Sequence, residues 1–207
     1  MSRPNTRRLA ALAIAGGMAF IVVAWIGATN PPFHGHLDTT VEYLSDAFLG
    51  AALALTIPGL VALRRLQGAP RAAVETAVAG QLLVLIGVAA ALMLGEDPSW
   101  FAAVGVPGIL LWLVGTVRIG KHTWRARILP RWAAVAIALT VPVGIVLGEF
   151  GGSALPGLLW IYLGLRLVPS RELNWLRRMP AAGGVLVALG VGAVSYTHLT
   201  LPTTPYV

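Results

Sequence analysis

Apolar runs of membrane-spanning length, separated by short charged or Pro/Gly-rich stretches, follow one another along the chain. Reading from charge to charge gives seven of them: Leu9 to about Thr29, about Tyr43 to Leu63, about Ala72 to Leu94, Ser99 to Val117, Trp132 to Gly148, about Phe150 to Leu165, and a last one starting at about Ala181. A helix needs about 20 mostly apolar residues to cross a bilayer. Only helices or closed barrels can satisfy every backbone polar group in hydrocarbon. Barrel strands would alternate apolar and polar positions, whereas these runs are continuous. The pattern predicts an all-α, polytopic transmembrane helical bundle of about seven spans, one domain over residues 1–193. The first run follows Arg3, Arg7 and Arg8 as a signal peptide would, but exceeds the roughly 7–15 apolar residues of such segments. It reads as an uncleaved anchor.

Composition agrees. The 207 residues are 57% hydrophobic and 11% charged, with mean hydropathy +0.79, against roughly 25% charged residues in soluble domains. The net charge of +7 and pI near 11.0 raise the question of nucleic acid, but the placement of charge answers it. The basic residues fall in four groups: Arg3, Arg7 and Arg8; Arg64, Arg65 and Arg71; Arg118, Lys121, Arg125, Arg127 and Arg131; and Arg166, Arg171, Arg177 and Arg178. Alternating spans put all four groups on one side. Short basic loops stay cytoplasmic, so the N-terminus is expected in the cytoplasm and the basic loops against anionic lipid headgroups. Trp124, Trp132 and Trp175 flank that side and Trp25 and Trp100 the other, as an interfacial aromatic belt would. The expected partners are membrane lipids, not nucleic acid.

The chain has no cysteine, which excludes disulfides, thiolate metal sites and thiol nucleophiles. Lys121 is the single lysine, and Ala, Gly, Val and Leu abound. That composition points to a GC-rich bacterial genome and hence to a bacterial plasma membrane.

A repeat runs through the middle. LGEDPSW (94–100) joins the third and fourth runs and LGEFGGS (147–153) the fifth and sixth. VPGILLW (106–112) and LPGLLW (155–160) follow, and Arg118 and Arg166 close the two runs. IPGL (57–60) adds a third Pro-Gly, so that Pro58, Pro107 and Pro156 are spaced by 49 residues. Tandem helical hairpins are the expectation, and the pattern continued would give an eighth span. Pro/Gly breaks at matching places can mark a transporter binding site; they can equally serve only to kink and pack helices. Gly144, Gly148 and Gly152 form a double GxxxG series, read as a packing face. Gln81, inside the third run, is read as a hydrogen bond between helices.

Acidic residues gather on the side opposite the basic ones: Asp38, Glu42, Asp46, Glu96, Asp97 and Glu149, with only Glu75 and Glu172 elsewhere. His34, His36 and Asp38 lie in the same outer loop as Glu42 and Asp46. These are ligand types for a divalent metal, and a metal with an open position would activate water. The competing reading is a solvated polar loop with Asp38 as the N-cap of the second helix. Ser153 lacks a base at recognisable spacing, and no GxxxxGK[ST] phosphate loop occurs.

The last residues differ in style. Val194 to Thr203, VSYTHLTLPT, resembles the translation of a transposase sequencing adapter. The resemblance implies that residues 194–207 are a non-native tail, that the natural sequence diverges near Ala193, and that Tyr196 and His198 carry no role. Three function classes fit the rest. A transporter-like or small-molecule-binding bundle is favoured by the Pro-Gly hairpins. A membrane-embedded enzyme or metal-binding protein would use the outer His/Asp/Glu cluster, although no catalytic signature is present. A non-catalytic assembly component would need a membrane-protein partner or a second copy of the chain.

Overall fold

The computed structural model describes residues 3–30, 39–147 and 151–167, and among these the only regular elements are six helices. They are α1 (Arg3–Thr29), α2 (Thr40–Gln67), α3 (Arg71–Leu94), α4 (Phe101–Ala126), α5 (Arg131–Val146) and α6 (Ala154–Leu167). The first four contain segments long and apolar enough to cross a membrane. Helices α5 and α6 have 16 and 14 residues. At 1.5 Å per residue they extend only about 24 and 21 Å, short of the roughly 30 Å of hydrocarbon. The expected seventh run and the tail at 194–207 lie outside the described residues.

Local chemistry sets the ends. Thr39 caps α2 in a capping box with Glu42. Gly68 and Gly95 terminate α2 and α3 at φ of 63° and 76°, where a side chain would be strained. Pro70 and Pro130 precede α3 and α5. Helix α4 runs on through Arg118, Lys121 and Arg125, well past Val117, where hydropathy alone predicted its end. Arg and Lys are good helix formers, and their long stems lie along the helix while the charged heads reach water.

Each helix packs on its sequence neighbours, and α6 packs back on α1, closing a ring. The pairing is antiparallel throughout. On α1, Ala10, Gly17 and Ala24 meet Gly164, Gly157 and Gly151 in turn. On α3, Ala77, Gly80 and Gly87 meet Gly115, Gly108 and Phe101. Gly50 of α2 faces Leu85 and Val88 of α3, and Gly120 of α4 faces Ala134 and Ala138 of α5. Across the ring, the Trp160 ring lies on Gly59, joining α6 to α2. Leu53, Leu60, Ile119, Val141 and Trp160 are the bulky buried side chains around these contacts.

The two halves of the sequence repeat pack differently. Gly108 and Gly115 of α4, seven apart, dock on α3, the hairpin partner; Gly157 and Gly164 of α6, also seven apart, dock on α1 instead. Helix α6 makes far less contact with α5 than with α1. Pro156 stands in the first turn of α6, where its missing N–H costs no helical bond, so it is not a mid-helix break; Pro58 and Pro107 are inside their helices. Among the described residues a Cβ on Gly144 would meet nothing, and Gly152 abuts Val143 and Leu147 at the end of α5. Gly148 lies outside the described residues.

Antiparallel pairing also separates the charges into two poles. Arg7, Arg8, Arg64, Arg71, the α4 C-terminal bases, Arg131 and Arg166 share one end; Glu42, Asp46, Glu96 and Asp97 share the other. Glu75 stands at the basic end and pairs with Arg71 at 2.5 Å.

Gly80→Ala should lower the thermal midpoint in detergent by several degrees, because the added methyl meets the Trp112 and Gly108 backbone. Gly144→Ala, with open space around it, should leave the midpoint unchanged or raise it, since alanine is the better helix former by about 1 kcal/mol.

Candidate functional site

Two polar places stand out in an otherwise apolar bundle. The first is the acidic end. Thr39 opens α2: its hydroxyl accepts from the Glu42 N–H at 3.3 Å, and Glu42 Oε2 accepts from the Thr39 N–H at 2.7 Å and its hydroxyl at 2.9 Å. The motif is Thr-x-x-Glu, a capping box. It was readable in the sequence, and it corrects the expected N-cap from Asp38 to Thr39. Glu42 is thus held in place by the helix start.

One turn on, Asp46 is half-buried within the apolar stretch of α2. Glu42 from its own helix and Asp97 from the α3–α4 turn are near enough for their charges to act on it. Glycine at position 95 lets the turn come close, since a Cβ there would lie 2.7 Å from the Tyr43 hydroxyl oxygen. Of the five expected metal ligands, Glu42 and Asp46 are therefore on neighbouring turns of one helix. His34, His36 and Asp38 lie outside the described residues, as does Glu149. Among the described residues, no three His, Cys, Asp or Glu side chains gather as a metal site would require.

The second place is mid-bundle. Gln81 of α3 is completely buried. Its Nε2 donates to the Leu53 carbonyl at 2.7 Å and to the Thr56 hydroxyl at 2.6 Å. The Thr56 hydroxyl in turn donates to the Ala52 carbonyl at 2.8 Å. A carbonyl offers no proton, so the amide nitrogen, not its oxygen, must face Leu53. The expected inter-helix hydrogen bond is present, and it falls just ahead of Pro58, whose missing N–H leaves the Ala54 carbonyl without its helical partner. Gln81 Oε1 is buried with no hydrogen-bond partner among the described residues, a cost of about 1–3 kcal/mol.

The Pro-Gly pairs turn out to be packing devices at their glycines. Gly59 receives the Trp160 ring, Gly108 touches α3 at Gly80, and Gly157 touches α1 at Gly17. The glycine seven residues further on in α4 and α6 was the signal for a packing face.

Compared with family models, with curated proteins and with solved structures, the chain has no significant match.

Glu42→Gln should keep the capping box, because an amide oxygen accepts the same bonds, whereas Thr39→Ala should cost about 1 kcal/mol. Chemical denaturation of the two variants in one detergent checks the difference.

Proposed function

We propose that this chain is a multi-pass protein of a bacterial plasma membrane, with its basic end in the cytoplasm, and that it acts as a transporter-like or small-molecule-binding bundle whose outer end receives a small cation. The seven-span count, with the run from Ala181 as the last span, belongs to this reading, and so does the non-native character of residues 194–207.

The observation that carries it is Asp46. An ionisable side chain inside an apolar span is expensive and by default marks a functional position. Among the described residues it faces further negative charge from Asp97 and Glu42, rather than a basic partner. A positively charged solute would relieve that repulsion and gain from it. The basic residues, all at the far end of the described bundle, leave this attraction unopposed. Gln81 and Thr56, hydrogen-bonded beside Pro58, give α2 a polar point halfway along the same helix.

The second reading, a metal-binding protein or enzyme using His34, His36 and Asp38, draws on the same acidic end. One panel tests both: thermal unfolding of the detergent-purified protein with organic amines, Zn2+, Ca2+, neutral sugars and organic anions. The proposal expects stabilisation by small cations only, with apparent affinity falling at least tenfold in Asp46→Asn. Stabilisation by Zn2+ alone, abolished in a His34→Ala/His36→Ala variant, would favour the metal reading. No shift with any cation would defeat both and leave the assembly-component class.

A further inference from the structure

At the basic end, aromatic rings and arginines alternate across three helices. The Arg131 guanidinium sits over the Trp124 ring, 5.2 Å from its centroid, linking α5 to α4. Trp132, the next residue, meets Tyr162 of α6 with centroids 4.6 Å apart and planes inclined at 58°. The Arg166 guanidinium then lies over the same Tyr162 ring at 6.0 Å. Two arginines are thus held by rings on either side of the Trp132–Tyr162 contact.

How they are held matters. Among the described residues neither has a carboxylate partner, unlike Arg71, which is paired with Glu75. A ring attracts a guanidinium through its electron-rich face and supplies it no hydrogen-bond acceptor, so the N–H groups still need acceptors. Guanidinium N–H groups match a phosphate, which arginine binds through paired hydrogen bonds. Both arginines and Trp124 are exposed, while Trp132 and Tyr162 are partly buried, so the Trp132–Tyr162 contact is anchored and the donors are open. The band lies where an apolar bundle gives way to charge, the level at which aromatic rings and lipid headgroups meet.

We propose that Arg131 and Arg166, positioned by Trp124 and Tyr162, form a binding site for the phosphate headgroup of an anionic phospholipid. The α4, α5 and α6 ends supply the site, and the exposed apolar side of the short helix α5 receives the acyl chains. Exposed Val135 and Leu139 continue down α5 from this band. The site rests on the chain being a membrane bundle, but not on which solute it handles or on the orientation of its ends.

The test is thermal unfolding of the full chain in detergent micelles doped with phosphatidylglycerol or with phosphatidylcholine. Wild type, Arg131→Gln/Arg166→Gln and Arg118→Gln/Arg125→Gln are compared; the last pair removes the same charge from α4, where among the described residues no ring contact holds it. Phosphatidylglycerol should raise the midpoint of the wild type and of the α4 pair by several degrees. In Arg131→Gln/Arg166→Gln the rise should be lost, and phosphatidylcholine should have little effect on any of them. Trp124→Leu/Tyr162→Leu, which keeps both charges, should lose at least half of the rise, and this variant decides the matter if the arginine pair does not unfold cooperatively. Equal stabilisation of all variants would overturn the site in favour of diffuse attraction. An equal shift with inorganic phosphate alone would overturn the lipid as its ligand. Extraction of the chain from membranes by alkaline carbonate without detergent would instead defeat the membrane reading itself.

Discussion

Hydrocarbon accepts neither a free charge nor an unpaired backbone amide, and the arrangement of this chain follows from that. Helices solve the backbone problem within each segment. The charges are left to the helix ends, and antiparallel pairing sorts them, bases to one end and acids to the other. Asp46 is the departure from this rule. It is a half-buried carboxylate in an apolar span, with Glu42 and Asp97 as like-charged neighbours, and for that reason it anchors the functional reading.

A bilayer gives two helices little hydrophobic reason to associate, so contact must come from close fit and hydrogen bonds. Glycine supplies the fit here. Gly17 and Gly157 bring α1 and α6 together, Gly80 and Gly108 bring α3 and α4 together, and Gly59 accepts the Trp160 ring across the ring of helices. The buried inter-helix hydrogen bonds from Gln81 to Thr56 and Leu53 sit beside Pro58. The Pro-Gly pairs thus account for how the bundle closes, and the case for solute binding moves to the acidic end of α2.

The helices and the two poles were legible in the sequence because both are one-dimensional. Apolar runs and charge positions need no knowledge of contacts. Boundaries were less so. Hydropathy ended α4 at Val117, since it cannot see that Arg118 and Lys121 continue a helix at a water interface. The docking of α6 on α1 was hidden because those helices are far apart in sequence, and the repeat suggested α5 as the partner. Gly144 is spaced like a packing residue, yet among the described residues nothing packs on it, because which side of a helix meets a neighbour is decided by the whole bundle. At the site, Glu42 and Asp46 were legible as neighbours on one face. The approach of Asp97 needed the α3–α4 turn, and the role of Glu42 was overlooked although Thr39 stood three residues before it.

The two-pole arrangement in a membrane is the central claim, and the absence of cysteine makes it directly measurable. Ser99→Cys would place a thiol at the acidic end and Ala126→Cys one at the basic end, both at exposed positions. Intact cells expressing each variant would be treated with a membrane-impermeant maleimide. The account predicts labelling of Cys at 99 in intact cells, and of Cys at 126 only after permeabilisation. Labelling of both in intact cells, or the reverse order, would contradict it.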